Sequence, residues 1–299
     1  MIVVNCEFSI LNSQSSINKK TTRMKVLNVF ALSAAMLLAS LSAQAETQTL
    51  TIDGTKGKLA AIIQTPQLAQ GEKVPMVIIM HGFGGRKTEN HLAMIANKLE
   101  AQGIASIRFD FYGHGESEGE FWRHTVPLEI EDALKVYEYV RDLRYVSTVS
   151  VLGHSQGGVV ASMVAGKLGA EIKSAVLMAP AAVLRDDAIR GSTMGAQYDP
   201  LNLEGEYIEM FGGRAKLGTE YIRTAFSLPI YETAANFKGA LCVIHGTGDR
   251  TGPDTYGIRY AEQSPNAELY ILPGEDHGFN KDLERATDIA VEFITRQVK

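Results

Sequence analysis

The stretch TVSVLGHSQGG, residues 148–158, joins a short apolar run to a segment with helical spacing. Thr148–Leu152 is β-branched or apolar at most positions, as in a strand covered on both faces, and Gln156–Leu168 repeats its apolar residues with the period of a helix. Between them sits G-x-S-x-G, from Gly153 to Gly157. Small flanking residues permit a sharp strand-to-helix turn that exposes the central hydroxyl and aims a helix N-terminus at negative charge developing beside it. A bare G-x-S-x-G arises often by chance. In a strand–turn–helix setting it marks Ser155 as a nucleophile.

Outward from that turn the same rhythm continues. Apolar runs at Val74–Met80, Ala105–Phe109, Ala175–Met178, Leu241–Ile244 and Leu269–Leu272 read as strands. Helical spacing appears at Glu89–Gln102, Leu128–Arg141, Asp254–Ser264 and Lys281–Gln297. The alternation predicts right-handed βαβ crossovers, hence an α/β fold with a mostly parallel central sheet flanked by helices. Two alternating segments, Gln48–Ile52 and Lys58–Gln64, predict an antiparallel hairpin at one edge. About sixty residues between the strands near Met178 and Leu241 show no clear strand. A long insert of this kind is usually functional, and residues 183–237 read as a cap over the sheet. No internal repeat or linker divides residues 46–299, which read as one domain.

A serine becomes nucleophilic through a base, and the base needs an acid to hold its tautomer. Of seven histidines, only His277 lies in a loop after the last strand, in GEDHGF (274–279). Asp249 follows the preceding strand in HGTGD (245–249), and the order Ser155, Asp249, His277 is that of nucleophile, acid and base in α/β-hydrolases. Asp276 is the alternative acid, disfavoured because loop neighbours usually point apart. His154 reads as support for the serine turn and His245 as a brace for the acid loop. His91, His114 and His124 read as surface or loop residues. The glycine-rich HGFGG (81–85) follows the first long strand, so the backbone N–H groups of Phe83 and Gln156 are the expected oxyanion hole. DFYGHGES (110–117) reads as a structural turn. No P-loop, dinucleotide fingerprint or H-E-x-x-H site occurs, and neither cofactor nor metal is expected.

HGFGG, DFYGHGES, GHSQGG, VLMAPAA and HGTGD…GEDHGF together resemble the cinnamoyl (feruloyl) esterases of the α/β-hydrolase superfamily, over residues 48–297. LMAPAAVLRDDAIRG (177–191) and LPIYE (228–232) carry the more specific part of the likeness. The resemblance implies the α/β-hydrolase fold and a serine carboxylesterase that forms an acyl-enzyme on Ser155, with small hydroxycinnamate esters as substrates. It also implies that the cap covers an aromatic acyl pocket in which Asp187 and Tyr221 contact a phenolic hydroxyl. Met194 stands where that family often has a pocket Gln, and Thr251-Gly252 replaces the usual apolar residue after the acid. These departures keep open a capped hydrolase for short-chain esters, monoacylglycerols or peptides. A non-catalytic binder is disfavoured, because every triad and oxyanion position is filled.

The 299-residue chain is 45% hydrophobic and carries a net charge of −5, so it is neither disordered in composition nor basic enough for a nucleic-acid binder. Two cysteines, Cys6 and Cys242, exclude a disulfide framework, and Cys242 sits in an apolar run. The oligomeric state stays open, a homodimer included. Residues 1–45 read as a signal peptide with an upstream extension: Lys25, the apolar Val26–Leu41 and Ala43-Gln44-Ala45, with Met24 as an alternative start. The apolar run is short for a membrane span and no stop-transfer follows, so no stable anchor is expected. The protein is therefore expected to be exported, periplasmic or secreted. Its mature N-terminus should be Glu46, and mass spectrometry of protein from its native cells checks this. An intact chain starting at Met24 would mean an unprocessed or anchored protein.

Overall fold

A computed structural model describes residues 45–299; the expected signal peptide and its upstream extension, save their last residue Ala45, lie outside them. The described chain centres on an eight-stranded sheet. Its strands are β1 (Glu46–Asp53), β2 (Lys58–Thr65), β3 (Val74–Met80), β4 (Ala105–Phe109), β5 (Val146–His154), β6 (Ile172–Met178), β11 (Ala240–Gly246) and β12 (Ala267–Leu272). Their spatial order is β1-β2-β4-β3-β5-β6-β11-β12. From β4 to β12 the pairing is parallel; β1 and β2 form an antiparallel hairpin that joins the sheet through β2. The hairpin register sets Gln48 opposite Ile63 and Ile52 opposite Leu59, inside the two segments read from the sequence.

Near-continuous apolar strands follow from cover on both faces. Met76, Ile78 and Met80 of β3 join a core shared with helices α2 (Val126–Arg141), α3 (Gln156–Leu168) and α7 (Thr255–Glu262). Val77 and Ile79 point the other way, into a core with α1 (Asn90–Ala101) and α8 (Leu283–Val298). The alternation is that of a pleated strand, and both sets are fully buried. Among the described residues, no helix is long and apolar enough to cross a membrane.

The interval read as strandless holds more structure than its sequence suggests. It contains α4 (Val183–Arg190), α5 (Thr219–Phe226) and α6 (Ile230–Ala234). It also contains two small antiparallel hairpins, β7 (Ser192–Thr193) with β8 (Ala196–Gln197) and β9 (Tyr207–Met210) with β10 (Ala215–Gly218). Strands of two to four residues are too short to show a period of two. The turn of the first hairpin is Met194-Gly195, both at positive φ (47° and 83°), a conformation usually signalled by Asn-Gly and here hidden by a methionine.

Packing is tight where α3 meets the sheet. A Cβ on Gly157 would lie 2.4 Å from the carbonyl oxygens of Met80 and His81, and one on Gly153 would lie 2.0 Å from that of Gly157. The backbone cannot yield there without moving β3 or β5. Gly157→Ala should therefore destabilise the protein by about 3 kcal/mol. Gly71→Ala, in a positive-φ loop with open space around it, should cost only about 1–2 kcal/mol. Urea midpoints of the two variants check the ranking.

Candidate active site

Ser155 sits at the junction of β5 and α3 with φ 58° and ψ −124°, a conformation rare for a residue with a side chain. Its N–H donates to the Met178 carbonyl on β6 at 2.9 Å, and its own carbonyl accepts from Ala181 N–H at 3.0 Å, so the turn is tied to the neighbouring strand. The hydroxyl emerges at the C-terminal ends of the parallel strands. There His277, in the loop after β12, places Nε2 2.7 Å from Ser155 Oγ and Nδ1 2.7 Å from Asp249 Oδ2. The relay is continuous from hydroxyl to carboxylate.

Asp249 is anchored by every lone pair it offers. Oδ1 accepts from the N–H groups of Thr251 (2.8 Å) and Gly252 (3.0 Å), and Oδ2 accepts from His277 and from His245 Nε2 at 3.1 Å. Burial pushes its pKa up, but the hydrogen bonds from His245, His277 and Gly252 outweigh that and hold it well below the usual carboxylate range. Asp276 makes no such bond. Its carboxylate accepts from Gly278 N–H and from the backbone and side chain of Asn280, bracing the loop. His154 donates to or accepts from nothing at the serine; its Nε2 lies 2.8 Å from the His277 carbonyl, and burial keeps the ring neutral.

The expected oxyanion donors are free. Neither Phe83 N–H nor Gln156 N–H is engaged in a hydrogen bond among the described residues. The HGFGG loop comes so close that a Cβ on Gly82 would lie 2.9 Å from Ser155 Cβ. Two buried devices hold this loop. His81 Nε2 accepts from Phe111 N–H at 3.2 Å, burial lowering its pKa to about 3. Asp110 Oδ1 accepts from Lys87 N–H and Oδ2 from Lys87 Nζ, both at 2.6 Å, while Glu116 pairs with the same ammonium. The DFYGHGES turn thus supports the oxyanion loop from behind.

A cavity of about 190 Å³ adjoins Ser155 and His277, and Phe83, Asp187, Met194 and Tyr221 line it. All three residues expected of the pocket are therefore brought to it, though not all in the expected state. The Asp187 carboxylate pairs with Arg190 one turn along α4; its pKa is raised by burial and pulled back by that pairing. Met194 stands at the tip of the β7–β8 turn, half-exposed at the cavity mouth. Tyr221 departs most from the reading. Its hydroxyl, expected to face a ligand, donates its proton to Gln156 Oε1 at 2.6 Å, so only its lone pairs remain for a partner in the cavity.

Sequence reasoning missed what lies behind Gln156. The side-chain amide donates to both oxygens of Glu129 (2.9 and 2.8 Å), a fully buried carboxylate whose pKa burial raises well above the ordinary value. Glu129 rides on the apolar stripe of α2 with Val126, Ala133, Val136 and Val140. A charged residue on a buried stripe is the signal that could have found it. His114 and His124, read as surface or loop residues, are buried beside it, and burial lowers their pKa values to about 4 and about 3.

This sheet, with a serine at its strand–helix turn and a histidine–carboxylate relay behind it, is the architecture of a serine hydrolase of the α/β-hydrolase kind. Est1E from Butyrivibrio proteoclasticus, solved with ferulic acid bound, superposes with a TM-score of 0.79 at 31% identity, over 83% of this chain and 99% of its own. A family model described as serine aminopeptidase, S33, matches residues 71–197. Protein ABHD12B of Homo sapiens is 26% identical over 196 residues, 64% of this chain and 51% of its own length. An acetyltransferase component of the acetoin cleaving system of Pseudomonas putida is 23% identical over 232 residues, 69% and 60% respectively. The chain spans between half and three fifths of the length of these two curated relatives. It belongs to the α/β-hydrolase superfamily, as a cinnamoyl (feruloyl) esterase-like member.

The geometry distinguishes the two candidate acids. Asp249→Asn should lose roughly three to four orders of magnitude in kcat/KM on a p-nitrophenyl ester, close to the loss in Ser155→Ala. Asp276→Asn should stay within a few-fold of the parent. The reverse ranking, in variants with parental melting temperatures, would transfer the role to Asp276.

Proposed function

We propose that the protein is a serine carboxylesterase that hydrolyses hydroxycinnamate esters of the ferulate and coumarate type. The observation that carries this reading is the cavity beside Ser155: apolar along most of its wall, it is lined on its cap side by Asp187 and Tyr221. A dry cavity of about 150 Å³ takes one benzene ring. The 190 Å³ found here suits a substituted ring whose acyl carbon reaches Ser155. The 31% identity to Est1E, a structure solved with ferulic acid, supports the same acyl class.

In this mechanism Ser155 Oγ attacks the acyl carbon while His277 Nε2 takes its proton. Asp249 stabilises the imidazolium so formed, and the N–H groups of Phe83 and Gln156, backed by the N-terminus of α3, receive the oxyanion. Collapse of the tetrahedral intermediate breaks the ester C–O bond, and His277 returns the proton to the departing alcohol. Water then repeats the sequence on the acyl-enzyme, releasing the acid and restoring Ser155. Because the Tyr221 proton is committed to Gln156, a phenolic hydroxyl is recognised as a donor, to Asp187 or to the Tyr221 oxygen. A site that pairs such a hydroxyl discriminates against the ester lacking it.

Methyl p-coumarate should therefore exceed methyl cinnamate in kcat/KM by about tenfold, the effect of one buried hydrogen bond. Asp187→Ala should narrow that ratio, and Tyr221→Phe should lower turnover on both esters as Gln156 loses its partner. If the parent treats both esters alike and prefers p-nitrophenyl butyrate or monoolein, the hydroxycinnamate reading falls. A capped esterase for other acyl groups then stands in its place.

A further inference from the structure

Behind Gln156, whose amide reaches Glu129, three buried side chains converge: His114, His124 and Glu129. One ring nitrogen of His114, one of His124 and a carboxylate oxygen of Glu129 lie within 4.8 Å of one another. Neither Nε2 has a hydrogen-bond partner, and both atoms are sealed from solvent. The tautomers follow from the opposite ring nitrogens. His114 Nδ1 lies 3.1 Å from the Tyr112 carbonyl oxygen, and His124 Nδ1 is bonded to that of Phe121. A carbonyl only accepts, so each Nδ1 carries the hydrogen and each Nε2 presents a bare lone pair.

Two lone pairs and a carboxylate facing one another need a positive centre. A proton on Glu129 reaches one nitrogen and leaves the other orphaned, at a cost of about 1–3 kcal/mol. A single divalent cation meets all three at once. We propose that His114, His124 and Glu129 form a binding site for a zinc-class divalent cation, independent of the esterase reading. The donor set, two imidazoles and a carboxylate, is one that zinc favours. Outer contacts match those of metal sites: each ring nitrogen opposite the ligating one donates to a backbone carbonyl, and Gln156 Nε2 orients the carboxylate. Zinc bonds of about 2.1 Å in a tetrahedron set ligand atoms about 3.4 Å apart. Ligand atoms up to 4.8 Å apart therefore close by at most about 1.4 Å on binding. Nothing in the linear sequence points there, since the three ligands sit in a turn, beside a short 3-10 segment and on α2, at no motif spacing.

Bound there, the cation ties the 110–125 loop to α2 directly behind Gln156. The test uses the purified chain, stripped with a chelator, dialysed and titrated with zinc chloride. Parent protein should take up about one zinc per chain by elemental analysis, and its melting temperature should rise by several degrees. His124→Phe, which keeps an aromatic ring in the cluster, and Glu129→Gln should bind roughly tenfold or more weakly. Cobalt in place of zinc should give the intense visible absorption of a tetrahedral nitrogen–oxygen site in the parent, a readout that does not depend on the variants folding. A stripped parent that takes up no zinc and shows no cobalt spectrum overturns the proposal. So does zinc uptake that His124→Phe and Glu129→Gln leave unchanged, which would place the ion elsewhere.

Discussion

The approach of α3 to the sheet at the Ser155 turn governs the rest of the site. Gly157 lies against the carbonyls of Met80 and His81, and Gly153 lies against Gly157, at distances that admit no Cβ. That contact forces Ser155 into its rare backbone conformation and lifts the hydroxyl clear of the strand ends. It also fixes where β3 delivers the HGFGG loop, because the carbonyls touching Gly157 belong to the strand's last residue, Met80, and to His81, which opens the loop. Ser155 and the loop that carries Phe83 are thus positioned by one backbone contact, with no side chain that could relax.

Around this contact the site is stiffened by buried polar groups, each completing another. Asp110 and Lys87 clasp the oxyanion loop, His245 and two N–H groups clasp Asp249, and Tyr221 and Glu129 grip the two ends of the Gln156 amide. Buried polar groups left single would each weaken the fold; joined, they hold reacting atoms in register. The tyrosine shows how this changes a functional reading. It reaches the pocket from the cap as an aromatic wall, packing edge-on against Phe83, while its proton serves the oxyanion residue. Cap and catalytic turn are therefore coupled through one hydrogen bond.

Much of this was legible beforehand, for identifiable reasons. The strands were visible because cover on both faces demands unbroken apolar runs, and the Ser155 turn because only small residues fit its flanks. Ser155, Asp249 and His277 could be placed by chain order, since each follows a parallel strand and the strand ends share one edge. The hairpins of the 183–237 segment were not legible: two-residue strands have no period, and Met194 occupies a turn position where asparagine is usual. Glu129 escaped because a single letter within a helix does not announce which face it rides. His114 and His124 were read as surface or loop residues because nothing in their neighbourhood says that aromatic rings will close over them.

Local chemistry and periodicity belong to the sequence by itself: an α/β sheet, a nucleophilic serine on a glycine-flanked turn, and a histidine and carboxylate on later strand ends. Those features depend on residues close in the chain or on a repeating strand–helix unit, so linear order suffices to state them. Tertiary structure alone decided that the Tyr221 proton goes to Gln156, and that His114, His124 and Glu129 face one another. Each of these depends on where a side chain points once distant segments have packed. A lone pair or a proton finds its partner across space, over separations that no spacing in the chain encodes.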